Sequence, residues 1–262
     1  MAERPLILLS NDDGVRARGL TALQAAMAAV GDTITVAPTE QQSAGSHALT
    51  LHRPLRHRTL GDTVHAIDGS PADCIYVALY RERFLPRWPD LVVSGINHGY
   101  NLGTDVYYSG TVAAAREGAL RGIPSLACSL GPKGDFERAA SLVATLAGRL
   151  LEAEATTPGP HGALINVNVP GGDVEPRGVQ ATRLGRRVYV DEVHVREDPR
   201  GNEYYWIGGP SVHHEPLEGA DTEAVDAGYV SVTPLRLDAT DADELGLAAF
   251  VAAAPHDEED KA

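Results

Sequence analysis

The chain has 262 residues, 43% of them hydrophobic and 22% charged, which is enough apolar material for one large packed α/β domain. Its formal net charge of −14 excludes non-specific binding of nucleic acid polymers, which needs a basic surface, but it does not exclude a small anion bound beside a cation. No apolar stretch approaches the ~20 residues of a membrane helix, and the N-terminal apolar run is too short for a signal peptide. We therefore expect a cytoplasmic protein with no membrane partner.

The first two-thirds of the chain alternate strand-like and helix-like segments. Residues 5–10 form a continuous apolar run typical of a strand buried on both faces, and residues 19–30 follow as an Ala- and Leu-rich helix that Gly31 ends. The next predicted elements are strand 33–37, a polar loop over 38–48, strand 64–67, helix 71–80, strand 90–94, a helix from Gly110, strand 125–130, helix 136–152 and strand 163–169. Repeated βα units predict a three-layer α/β fold, with a mostly parallel, Rossmann-like sheet covered by helices on both faces.

The pattern changes after Pro170. Residues 178–210 alternate β-branched or aromatic residues with polar ones around a turn at 198–202, which is typical of a β-hairpin. A further strand over 229–237 has an apolar composition like that of the predicted core strands. An acidic tail ends the chain.

We accordingly divide the chain into an α/β catalytic core over residues 1–175 and a C-terminal part over 176–262. The predicted hairpin protrudes and is not part of the catalytic core. Because a lone two-stranded ribbon is marginal in water, it must pack either on the edge of its own sheet or on a neighbouring subunit.

Two acids, Asp12 and Asp13, directly follow the first predicted strand. Ligands of open α/β sheets bind at the carboxyl ends of the strands. In the turn after a strand, two adjacent carboxylates can face one hard divalent cation, which prefers such oxygen donors. The alternative is a polar turn in which one of the acids caps the next helix.

A second polar loop follows strand 90–94. Asn97 and Asn101 lie there among glycines, and Asn97 offers a neutral oxygen ligand to a cation held by the acids. Ser109, Gly110 and Thr111 then open a helix, whose free N–H groups and positive dipole end predict a phosphate site. The alternative is that Ser109 or Thr111 only caps its own helix.

A third loop, after the second strand, carries Ser43. A single loop serine is ordinarily a solvated hydroxyl. The loop that carries Ser43, however, follows the carboxyl end of a strand, where a cation would take several oxygen ligands.

Several long segments resemble the SurE survival-protein family of divalent-metal-dependent nucleotidases. They are ILLSNDDGVRARGL, VAPTEQQSAGSHALTL, DGSPADCIYVAL and SGINHGYNLGTDVYYSGTVAAAREG, joined later by RLGRRVYVDEVHVREDPRGNEYYWIGG and GYVSVTPLRLD. The resemblance implies that Asp12, Asp13, Ser43 and Asn97 hold one Mg²⁺ or Mn²⁺ per subunit. It is looser between Gly209 and Asp226, so we assign no catalytic residue there.

The resemblance also implies the reaction and the assembly. It points to a 5′-nucleotidase that hydrolyses nucleoside 5′-monophosphates to nucleoside and phosphate, and to a homodimer or homotetramer. Base preference, selectivity between 5′ and 3′ phosphates, the physiological metal and the general acid or base stay open.

The residues by themselves support hydrolysis of a phosphomonoester, assisted by a metal. Asp12, Asp13 and Asn97 would act at the reacting phosphate, which Asn101 and the amides of Ser109 to Thr111 would bind. The alternative function is a non-catalytic nucleotide or phosphate sensor, which would need no acid pair. The sequence contains no P-loop, no nucleophile elbow and no zinc motif of a common type.

Overall fold

The computed structural model describes residues 3–156, 162–189, 193–208 and 212–253. Its strands are β1 (Leu6–Ser10), β2 (Asp32–Pro38), β3 (His57–Gly61), β4 (Val64–Ile67), β5 (Leu91–His98), β6 (Ser125–Leu130), β7 (Leu164–Val169), β8 (Val179–Ala181), β9 (Arg186–Tyr189), β10 (Val193–Glu197), β11 (Glu203–Ile207), β12 (Val212–Glu215) and β13 (Val230–Leu235). Its α-helices are α1 (Arg18–Met27), α2 (Pro71–Tyr80), α3 (Gly110–Leu120), α4 (Phe136–Thr156), α5 (Asp221–Asp226) and α6 (Leu245–Ala252). Short 3₁₀ helices cover Gly103–Tyr107 and Ala242–Glu244.

A nine-stranded sheet forms the centre, in the order β3-β4-β2-β1-β5-β6-β7-β13-β8. The six strands from β4 to β7 in this order run parallel, whereas β3 and β13 are antiparallel to β4 and β7. The predicted α/β fold with a mostly parallel sheet is confirmed. The chain returns to the sheet within 229–237, where β13 lies.

Helices cover both faces of this sheet because its central strands are apolar on both sides. In β1, Ile7 and Leu9 pack in one core cluster with residues of α1 and α4. Leu6 and Leu8 point the other way, into a second cluster with residues of α2 and α3. The period of two along a fully buried strand thus accounts for the three layers.

Helix α2 has the bounds that its sequence predicts, because the signals that start it are local. Ser70 and Asp73 form a capping box, and Pro71 occupies the first turn. The Asp73 carboxylate also accepts hydrogen bonds from the N–H and the hydroxyl of Thr50, at 2.8 and 2.6 Å. This helix start therefore also anchors the loop that carries Ser43.

Some elements differ from the prediction. Helix α1 ends at Met27, and the chain reaches Gly31 through a turn in which the Gly31 N–H donates to the Met27 carbonyl at 3.1 Å. Strand β3 was not predicted, since all five of its residues are exposed at the edge of the sheet and carry no alternating pattern. The short α5 was not predicted either.

The C-terminal range 178–210 contains more than one pairing. Strands β10 and β11 form the predicted hairpin around the turn at 198–202. Strand β8, however, joins the central sheet beside β13, and β9 pairs with β12, which lies beyond the predicted range. Val190, Gly209 and the acidic tail fall outside the described residues. No helix in the described part of the chain is long and apolar enough to cross a membrane.

Candidate active site

Six of the eight predicted site residues line one cavity of about 290 Å³ at the carboxyl ends of the parallel strands, and the other two, Gly110 and Thr111, pack against Asp12. The turn after β1, the loop after β2, the end of β5, the loop before α3 and strand β9 all contribute to its wall. The lining residues are Asp12, Asp13, Gln41, Ser43, Ala44, Asn97, His98, Gly99, Tyr100, Asn101, Asp105, Tyr108, Ser109 and Tyr189. A larger cavity, about 900 Å³, opens elsewhere against residues 234–243 and contains none of the predicted site residues.

Asp12 is a buried acid, with 5% of its surface exposed. Burial raises the pKa of its carboxyl to about 6; hydrogen bonds from the Thr111 hydroxyl and backbone N–H oppose this shift, whereas the charge of Asp13 adds to it. The Thr111 hydroxyl donates to Asp12 Oδ1 at 2.5 Å. At neutral pH the site therefore holds a buried negative charge, which a cation in the cavity would stabilise.

Asp13 lies in the same turn and is only half-buried. Its Oδ2 accepts a hydrogen bond from the backbone N–H of His98 at 3.0 Å, which ties the turn to the end of β5. The side-chain amide of Gln41 lies 3.5 Å from Asp13 Oδ1 and donates to the Ser43 hydroxyl oxygen at 2.8 Å. One amide nitrogen thus brings the side chains of Asp13 and Ser43 together.

Asn97 reaches the cavity through an irregular end of β5. The pairing of β5 with β6 shifts register between Ser94 and Asn97. Gly95 within this shift has φ +138°, and a Cβ there would lie 2.4 Å from the Cys128 carbonyl oxygen, so only glycine fits. The Asn97 amide nitrogen donates to the Gly99 carbonyl at 2.8 Å, which leaves the amide oxygen for another partner.

Asn101 lines the cavity and is also the centre of a network of buried hydrogen bonds. Its backbone N–H donates to Asn168 Oδ1, and its side-chain amide donates to Ser129, both at 2.8 Å. Its carbonyl accepts hydrogen bonds from the side chains of Asn166 and Asn168. These two asparagines of β7 were missed in the sequence, where two polar residues inside a buried strand were the available signal.

The start of α3 is built around Asp12. Ser109 lines the cavity and caps its own helix, since its hydroxyl oxygen accepts from the Val112 N–H at 3.1 Å. A Cβ on Gly110 would lie 2.8 Å from the Asp12 Cβ, so any side chain there would displace the acid. Thr111 is fully buried against Asp12. Phosphate binding by these three residues stays a prediction.

The donor chemistry of the cavity fits a hard divalent cation. Within the described part of the chain, no group of three or more His, Cys, Asp or Glu side chains is arranged to hold a metal. The predicted set instead combines two carboxylates with an amide oxygen and a hydroxyl, the oxygen donors that Mg²⁺ and Mn²⁺ accept. Burial disfavours the ionised form of Asp12 and raises its pKa, and a cation bound beside the carboxylate would offset that penalty.

The C-terminal part reaches the cavity, which corrects the expectation that residues 178–210 lie outside the catalytic core. Tyr189 of β9 lines the cavity, and its hydroxyl donates to Asp105 Oδ1 at 2.5 Å. Arg187 of the same strand pairs with the other oxygen of Asp105. The Asp105 carbonyl in turn accepts from the Ser109 N–H at 3.1 Å. Strand β9 therefore holds the loop before α3 in place.

Comparison with known proteins gives consistent matches over nearly the whole chain. The family model for the survival protein SurE matches residues 7–191, which include every predicted site residue. A relative from Sorangium cellulosum (strain So ce56), named 5′-nucleotidase SurE, is 55% identical over 258 residues, 97% of this chain and 98% of the relative. One of the same name from Myxococcus xanthus (strain DK1622) is 49% identical over 92% of this chain and 91% of its own length. The crystal structure of the SurE protein from Aquifex aeolicus matches with a TM-score of 0.79 and 37% identity, over 95% of this chain and 100% of that one.

Proposed function

The chain belongs to the survival protein SurE family and is a 5′-nucleotidase, and we propose that it hydrolyses nucleoside 5′-monophosphates with the help of one bound Mg²⁺ or Mn²⁺. The products are a nucleoside and phosphate, and 3′-monophosphates are a further candidate substrate. The observation that carries the metal proposal is the meeting of two acids, a hydroxyl and an amide at one cavity.

In this proposal Asp12, Asp13, Ser43 and Asn97 hold the cation. The chemistry that a bound divalent cation supplies at such a site is polarisation of a phosphoryl oxygen. Two hydrogen bonds keep the donors in place: the His98 N–H fixes Asp13, and the Thr111 hydroxyl fixes Asp12.

The remaining polar groups act on the substrate. Asn101 and Ser109 line the cavity beside the acids, and we assign them, with Gly110 and Thr111, to binding of the phosphate through side chains and the N-terminal N–H groups of α3. Asp13 is the more accessible acid of the pair. We therefore assign to it the role of general base, which accepts a proton from the attacking water. Asn97 completes the group that contacts the reacting phosphate.

The proposal is tested by hydrolysis of AMP with and without a chelator. We expect activity to be lost with the chelator and restored by Mn²⁺ or Mg²⁺. Asp13→Asn should lower kcat/KM by at least about 100-fold, because loss of a direct ligand should cost no less than loss of a group that only orients one. Asp62→Asn is the matched control, since Asp62 is an exposed acid in the turn before β4, at the opposite end of the strands.

Two results would count against the proposal. Full activity of the wild-type enzyme in the presence of chelator would remove the metal from the mechanism. Tight binding of AMP without turnover, with any divalent ion present, would instead favour the alternative function, a non-catalytic nucleotide or phosphate sensor.

A further inference from the structure

The cavity gathers tyrosines in a protein that has few aromatic residues. Aromatic residues make up 5% of the chain, and it has nine tyrosines. Tyr100, Tyr108 and Tyr189 nevertheless all line this one small cavity. Metal binding and phosphate binding use oxygen and nitrogen atoms, so neither explains why aromatic rings are placed here.

The hydroxyl groups of two of these tyrosines serve the protein itself. The Tyr100 hydroxyl accepts a hydrogen bond from the Gly171 N–H at 2.9 Å, and the Tyr189 hydroxyl donates to Asp105. These bonds fix the positions of both side chains. The ring surfaces of both side chains take no part in these bonds and can contact a ligand.

Tyr108 is different, because its side chain makes no hydrogen bond or ring contact with any described residue, and it is 65% exposed. Its backbone is nonetheless held on both sides. Its N–H donates to the Asp105 carbonyl, and its carbonyl accepts from the Ser46 N–H, each at 3.0 Å. A rigid backbone therefore presents a large, unpartnered ring at the rim of the site.

The position of Tyr108 relates it to the phosphate end of the site. It directly precedes Ser109 at the start of α3, which packs against Asp12. In a nucleotide, the base and the phosphate lie at opposite ends of the sugar. If the phosphate lies beside Asp12 and Asp13, the base must therefore lie away from these acids. We propose that Tyr108 and Tyr189 form a nucleobase subsite, in which the base stacks on the Tyr108 ring. This proposal rests on the proposed nucleotidase function.

Stacking has a consequence for selectivity. Every base has a π-face, so stacking on an aromatic ring is tolerant of base identity. The Tyr189 hydroxyl donates its only proton to Asp105, so it cannot donate a hydrogen bond to the edge of a base. The subsite therefore favours nucleotides over phosphomonoesters that lack a base, with little discrimination between purines and pyrimidines.

The test compares AMP with ribose 5-phosphate, which keeps the sugar and phosphate but has no base. The Tyr108→Ala variant should lower the ratio of kcat/KM for AMP to that for ribose 5-phosphate by about 5- to 150-fold, the range expected when one stacked base is lost. The change should lie in KM for AMP, because stacking binds substrate and transition state alike. Tyr108→Phe, which keeps the ring, should retain the wild-type ratio.

Tyr107→Ala is the matched control. Tyr107 is the adjacent residue and is 63% exposed, but it lines the larger cavity and not this one. Its removal should leave the ratio as in the wild type.

Calorimetry of AMP binding, with the cation present, separates this proposal from the proposed function. Weaker AMP binding by Tyr108→Ala than by Tyr107→Ala supports the subsite even if the wild-type protein hydrolyses neither substrate, a result that would refute the nucleotidase alone. An unchanged ratio, or equal losses on AMP and ribose 5-phosphate, would overturn the subsite while leaving the hydrolase in place.

Discussion

Asp12 is more buried than the other acids that line the cavity, and its neighbouring residues accommodate its side chain. Gly110 leaves the space that its Cβ and carboxylate fill, and Thr111 donates to it. In the absence of a cation, ionisation of Asp12 opposes folding, because its pKa is about 6 in the folded chain against 3.8 for an ordinary aspartate. The side chain is thus arranged for a charged ligand at a cost in stability.

The sign of this effect gives a prediction for the metal-free protein. Between pH 3.8 and about 6 the folded state binds more protons at Asp12 than the unfolded state, so the free energy of unfolding falls as the pH rises through this window. Asp12→Asn removes the charge, and we expect it to stabilise the metal-free protein by up to about 3 kcal/mol at pH 8. At pH 4 the gain should be small.

Urea denaturation with chelator at the two pH values measures this difference. Asp62→Asn, an exposed acid, should show no such pH-dependent gain. Equal stabilities of Asp12→Asn and wild type at pH 8 would mean that burial does not perturb Asp12.

At the scale of elements, α3 connects the two loops that complete the site. Its first turn contacts Asp12, and Glu117 in its middle binds His47 of the loop after β2, at 2.8 Å, and Arg121. Burial disfavours the charged form of Glu117, but hydrogen bonds and charges of His47 and Arg121 outweigh this and lower the pKa of the carboxyl. The loop that carries Gln41 and Ser43 is therefore anchored to α3 through His47.

We expect Glu117→Gln to loosen that loop. The change should destabilise the protein by about 1–3 kcal/mol, because buried hydrogen bonds to charged groups are weakened. Hydrogen exchange across residues 43–50 should become faster, and kcat/KM for AMP should fall while the fold persists.

Glu137→Gln is the control, because Glu137 is also a helical glutamate in an ion pair, but that pair with Arg18 is exposed. Such a pair contributes only about 0–1 kcal/mol. If exchange over 43–50 rises no more in Glu117→Gln than in Glu137→Gln, Glu117 does not anchor the loop.

At the scale of the whole molecule, the β10–β11 hairpin and helix α6 expose much apolar surface. Every residue of β10, β11 and α6 is exposed, including Trp206, Ile207 and Phe250. Exposed apolar surface of this extent usually marks a contact surface. We propose that the chain assembles through the β10–β11 hairpin into a homodimer or homotetramer.

Light scattering at micromolar concentration checks the assembly. We expect a dimer or tetramer for the wild type, and Trp206→Glu should shift it towards smaller species, because a charge replaces an apolar contact. Replacing the turn at 198–202 by a short glycine turn should also weaken assembly without affecting metal binding.

Trp88→Glu is the control, because Trp88 is also an exposed tryptophan but lies outside the hairpin, and this variant should assemble normally. A strictly monomeric wild-type protein would refute the proposal.

The sequence by itself determined the layers of this protein and six of the residues that line its candidate site. The apolar run of β1 and the capping box of α2 are local signals, so they predict these elements without knowledge of the fold. Asp12, Asp13 and Asn97 could be placed together because carboxyl ends of parallel strands share one edge of a sheet.

Only the tertiary structure decided which partners these residues meet. Thr111 bonds to Asp12 across 99 positions of the chain, and Tyr189 reaches Asp105 across 84. The pairing of β9 with β12 likewise joins strands on either side of another hairpin. Periodicity and caps report how one segment buries its own surface, whereas these contacts depend on which surfaces the fold brings together, and no single segment carries that information.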